Sequence, residues 1–102
     1  MFVSVAGSGA RVLEPEDTKR LAVRVHEAAD LARAIATLGR VDADGEHVWL
    51  TIESLRSTAL AAVEPDRRDR WVESFDAMVA YAVSKGWGSA DGRAVRAHIE
   101  RV

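Results

Sequence analysis

Three histidines, three tryptophans and a pair of closely spaced aspartates are the residues of this chain whose chemistry goes beyond packing. His26 and Asp30 lie four residues apart in His26-Glu27-Ala28-Ala29-Asp30. On a helix one turn brings such a pair side by side, and the pattern resembles a zinc-protease helix with Asp in place of the second His. A third ligand would have to come from His47 or His98. An exposed i,i+4 ion pair explains the spacing more simply, so no metal site is expected there.

Asp42-Ala43-Asp44-Gly45, with Glu53 as the twelfth residue counted from Asp42, has the outline of a calcium loop. That loop needs glycine at its sixth position to turn sharply, and His47 stands there instead. A solvated turn is the expectation. Gly7-Ser8-Gly9 after an apolar stretch has the outline of a dinucleotide-binding turn. The fingerprint requires a third small residue, and Val12 occupies its place; the following helix also begins too late to face a pyrophosphate. A plain turn is expected, and with it no cofactor.

Arg67-Arg68-Asp69-Arg70 puts three cations at the start of a predicted helix, where the backbone dipole is already positive. Glu64, Asp66, Asp69 and Glu73 are at hand to offset them locally, and an anion or acidic partner is the alternative. Serine, histidine and aspartate are all present, but no Gly-x-Ser-x-Gly elbow accompanies them. His98 remains as a potential acid or base.

The aromatic residues give the strongest hint of a binding surface. Trp49 and Trp71 fall on apolar stripes and are expected in the core. Trp87 lies between Gly86 and Gly88. With Gly86 ending a helix, Trp87 can fold back onto Ala82 or Tyr81. It can also act as a lid or an interface anchor, since tryptophan is over-represented among binding hot spots.

These residues must be held by secondary structure, whose signals run as follows. Phe2-Val3-Ser4-Val5-Ala6 alternates as a strand does, and residues 10–13 suggest a partner across the Gly7-Ser8-Gly9 turn. Residues 15–38 carry Leu21, Val25, Ala28, Ala32 and Ile35 at helical spacing, with Gly39 as the stop; this predicts a long helix. Residues 41–47 predict a turn and residues 48–52 a strand covered on both faces. Residues 53–63 and 66–85 predict two further helices, separated by Glu64-Pro65 and closed by Gly86. In residues 91–102, Asp91-Gly92 leads into alternating Val95, Ala97 and Ile99, which favours a strand over a helix.

The chain of 102 residues is long enough to bury a core without cross-links, and it contains no cysteine, so disulfide and thiolate chemistry are excluded. Its net charge of -2, with mixed signs, offers no dense basic face for nucleic acid. No export signal or membrane-length apolar run is visible, so a cytoplasmic location and no membrane partner are expected.

Together these observations predict an α+β fold, a single domain over residues 1–102, with about three helices on a short antiparallel or mixed sheet. The first functional expectation is a non-catalytic binding or interaction module that forms a homodimer. The alternative is a small enzyme, or a ligand-binding accessory to one. A small apolar ligand would sit in a pocket lined by Trp49, Tyr81 and Trp87, with His98 as acid or base.

Overall fold

The computed structural model of the chain describes residues 1–27 and 29–102. Its strands are β1 (Phe2–Ala6), β2 (Gly9–Leu13), β3 (Ala22–Val25), β4 (Gly39–Val41), β5 (His47–Thr51) and β6 (Ala94–Arg101). Its helices are α1 (Leu31–Ile35), α2 (Ile52–Leu60) and α3 (Arg68–Ser84), the last entered through a tight 3-10 turn at Pro65–Arg67. All six strands join one mixed sheet in the order β2-β1-β3-β6-β5-β4. The sheet is larger than the short one the sequence suggests.

Alternation along each strand builds the core. Val3 and Val5 on β1, Val23 and Val25 on β3, Val48 and Leu50 on β5, and Val95, Ala97 and Ile99 on β6 are all buried. The registers align them on one face: Val3 opposes Val23, Val23 opposes Ile99, and Val48 opposes Ala97. Each fully buried valine or leucine contributes about 1.5–3 kcal/mol relative to exposure.

The sheet curls around this face. β2 and β4 are opposite edges, yet α1 packs against both, and α2 packs against β2 and β5. Six strands laid flat would hold their outer edges roughly 24 Å apart, too far for one helix about 10 Å wide to bridge. Ile35, Leu38, Leu55 and Ala59 fill the concavity. The third helix closes one end. There Trp71 stacks on Phe75 at 4.9 Å and donates its indole N–H to the Pro15 carbonyl at 2.6 Å.

The predicted helix over residues 15–38 does not form. Residues 22–25 are strand β3, and among the described residues of that stretch only Leu31–Ile35 are helical. Ala28, assigned above to the helical stripe, lies outside the described residues. Leu21, Val25, Ala32 and Ile35 fit a helical period, but Val23 and Val25 fit a strand period equally well. Pairing with β1 and β6 on both sides decides between them, because tertiary pairing outweighs local propensity. Asp30 caps the short α1 by accepting the Arg33 backbone N–H at 3.3 Å.

Gly39 does not stop a helix either; it begins β4. The strand β5 has solvent on one face rather than cover on both, since His47, Trp49 and Thr51 are only half-buried. The other elements follow their sequence signals. Gly7 and Ser8 form the two-residue turn between β1 and β2, with Gly7 at a positive φ of 61°. Gly86, at φ 82°, ends α3 with the Trp87 N–H on the Ala82 carbonyl at 2.9 Å. The ambiguous C-terminal segment is the strand β6.

The glycine at position 39 makes a sharp expectation. A Cβ there would lie 1.9 Å from the Trp49 carbonyl oxygen, so alanine cannot fit unless β4 leaves β5. Gly39→Ala should cost more than about 2 kcal/mol, lowering the thermal midpoint by roughly 8 °C or more. Gly45→Ala, at φ 70° in open space, should cost only about 1 kcal/mol. Thermal unfolding followed by circular dichroism compares the two, and equal losses would contradict the close approach at Gly39.

Candidate functional site

The strand β6 organises the functional face. On one side it pairs antiparallel with β5 from Ala94 to His98. On the other side its second half pairs with β3, beginning at His98 opposite Ala22. Its first half on that side takes a different partner, the backbone after α3. Gly88 bridges Val95, Arg96 donates its N–H to the Trp87 carbonyl at 2.8 Å, and Ser89 donates to the Ala94 carbonyl at 2.9 Å. The flank of β6 at Ala97 falls between these two partners.

A cleft of about 410 Å³ opens beside that break, within the range of small-molecule sites. Its apolar wall is made by Leu21, Met78, Val79, Ala82, Trp87 and Val95. Tyr81 stands at the mouth with Trp87 in an edge-to-face contact at 6.3 Å. The polar rim is Lys19, Arg20, His47, Arg96 and His98. Alternation on β5 and β6 explains the rim: with Val48, Val95 and Ala97 turned inward, His47, Arg96 and His98 must turn outward. His47 and His98 oppose each other directly, their rings edge-to-face at 5.3 Å.

Three of the four residues singled out from the sequence, Tyr81, Trp87 and His98, converge on this cleft. Trp49 does not, and it is not in the core either. It lies on the outer face beyond Arg96, half-buried, because its neighbours Val48 and Leu50 take the inner positions. Its indole N–H donates to Asp42 Oδ1 at 3.1 Å, and the Arg40 guanidinium lies 5.8 Å from its ring. Lys19, Arg20, Leu21 and His47 escaped sequence reasoning. The first three were assigned to a helix, and only the pairing of β3 with β6 carries them to the cleft.

Beside the cleft, the turn between β4 and β5 carries the aspartate pair. Arg96 donates to Asp42 Oδ2 at 2.8 Å and to Asp44 Oδ2 at 2.7 Å, and His47 Nδ1 lies 2.7 Å from Asp44 Oδ2. Asp42, Asp44 and His47 are close enough together to suggest a metal. The arginine already supplies the positive charge between the two carboxylates, so the cluster is a satisfied ion network. Hydrogen bonds from the Trp49 indole and then Arg96 hold the Asp42 carboxyl below its usual range. The Glu46 backbone N–H, and after it the contact with His47, bring Asp44 down from 3.8 to about 2.

The other motifs resolve without a ligand. His26 Nε2 meets Ser4 Oγ at 3.1 Å rather than Asp30, and among the described residues no carboxylate is hydrogen-bonded to that histidine. Asp30 serves as the α1 cap. Arg67 is balanced chiefly by Glu16, far away in sequence, at 3.0 Å, and not by the local acids alone. Arg68 donates to the Val63 carbonyl. Among the described residues no helix is long and apolar enough to cross a membrane. No family model, curated protein or solved structure matches the chain.

The ion network should make stability acid-sensitive. A carboxyl depressed in the folded state stabilises above its unfolded value and loses that contribution as pH falls through the folded value. For Asp44 the loss should therefore run from about pH 4 down to about pH 2. Urea midpoints measured across that range should fall in the wild type and fall less steeply in Asp44→Asn. An identical acid profile for both would show that the network adds nothing.

Proposed function

We propose that this domain is a non-catalytic binding module that takes a small, largely apolar ligand into the cleft beside Trp87. The observation that carries this reading is the convergence of Leu21, Met78, Val79, Ala82, Trp87 and Val95 on one concavity at a break in sheet pairing. Such a shape, mostly apolar with polar groups confined to its rim, is the general form of small-molecule sites. Its lining holds no serine, threonine, aspartate or glutamate, which speaks against acyl transfer or carboxylate-based acid–base chemistry there. His98 has no hydrogen-bonded carboxylate among the described residues to orient it as a base.

The uncharged fluorophore phenylnaphthylamine tests the reading. It should bind saturably and brighten in the wild type, and Ala82→Trp, which fills the cleft, should weaken binding at least about tenfold while the protein stays folded. Equal binding by the two proteins would remove the cleft as the site.

A second reading is self-association through the same end of α3. Tyr81, Val83 and Trp87 are 59%, 52% and 45% exposed, an unusual concentration of large apolar side chains. A second copy covering them would form a homodimer. Light scattering over a wide dilution series decides it: a dimer that dissociates in Trp87→Ser supports this reading, and a monomer at every concentration ends it.

A further inference from the structure

We infer that the ligand of this cleft is an amphipathic organic carboxylate, its apolar body against Trp87 and Met78 and its anionic head between Lys19 and Arg20. The inference rests on the cleft being the binding site. Charge at the rim carries it. The chain as a whole has more acidic than basic residues, 16 against 14. Yet the lining of the cleft includes Lys19, Arg20, His47, Arg96 and His98 and not one carboxylate. The balance of charge at the rim is thus opposite in sign to that of the chain.

The five groups are not equivalent. Arg96 is already shared between Asp42 and Asp44, and His47 contacts Asp44. Those two close the rim without offering a free charge. Lys19 and Arg20 have no carboxylate partner among the described residues. Asp17, two residues before Lys19, turns its Oδ1 to the Lys19 backbone N–H at 3.1 Å.

The backbone under these cations is held from several sides. The amino terminus donates to the Asp17 and Arg20 carbonyls, and the Trp71 indole N–H fixes Pro15. The two charges are therefore presented from an anchored segment. A neutral ligand would leave both exposed cations at the rim without a partner on the ligand. An ammonium ligand would meet like charge from Lys19 and Arg20 at the rim, which opposes any attraction to the Trp87 and Tyr81 rings. A carboxylate with an apolar body satisfies the wall and the rim together, through charge-assisted hydrogen bonds.

The matched pair naphthylacetate and naphthylacetamide, alike in shape and different in charge, tests the inference by titration of the Trp87 indole signal in nuclear magnetic resonance. In the wild type the carboxylate should bind about tenfold tighter than the amide. In the double variant Lys19→Gln, Arg20→Gln that preference should collapse to within about twofold, with amide affinity unchanged. Both substitutions are at exposed positions, and the thermal midpoint checks that the variant folds. Equal wild-type affinity for the two compounds, both lost in Ala82→Trp, would overturn the anionic head group and leave the cleft standing. A preference that survives in the double variant would overturn the assignment to Lys19 and Arg20. Failure of both compounds to bind the wild type would sink the cleft and the inference together.

Discussion

The strand β6 is the constraint on which the rest of the molecule depends. It joins the β2-β1-β3 half of the sheet, through parallel pairing, to the β5-β4 half, through antiparallel pairing. Its register fixes both surfaces at once. Val95, Ala97 and Ile99 enter the core while Arg96 and His98 reach the outer face. A slip of one residue would exchange those sets, placing an arginine and a histidine in an apolar interior. Because the valines of β1, β3 and β5 all meet this one strand directly or through a neighbour, the register has little freedom.

Length creates the cleft. β3 is only four residues long and reaches β6 at His98, so the beginning of β6 needs another partner on that side. The chain after α3 provides it. The left-handed Gly86 turns the backbone, and Trp87 to Ser89 run back along Ala94 to Arg96. Two partners of different origin cannot abut as one continuous strand would. The opening between them is walled by the end of α3 and by the segment that leads into β3. The concavity is thus a consequence of strand lengths and of a helix stop.

Electrostatics then divides the outer face into two regions. Around the β4–β5 turn, Arg96 lies between Asp42 and Asp44, so these three charges are paired. These side chains are only partly screened from water, so their worth lies more in orienting Arg96 and His47 than in stabilising the fold. A few residues away the pattern is unbalanced, with Lys19 and Arg20 beside an apolar wall. The first region builds one part of the rim, and the second carries cations that have no carboxylate partner among the described residues.

Much of the fold was legible in the sequence. The β1–β2 hairpin, α2, α3 with its Gly86 stop and the C-terminal strand each carry a local signal, either alternation or a glycine at a fixed place, that the structure obeys. Local chemistry also named Trp87, Tyr81 and His98, because an aromatic beside a helix stop and a histidine on the polar side of a strand are visible in one dimension. Residues 15–38 show where such reading ends. Leu21 and Val25 satisfy a helical period, Val23 and Val25 a strand period, and only pairing with β1 and β6, contacts distant along the chain, selects the strand. The same long-range pairing brings Lys19 and Arg20 to the cleft, whereas the register of β5 against β6 places Trp49 beside Arg96 and away from it. Periodicity fixes which face of an element is apolar, whereas the neighbour that face meets is decided by closing the sheet, where the burial of many side chains outweighs the preference of any one segment.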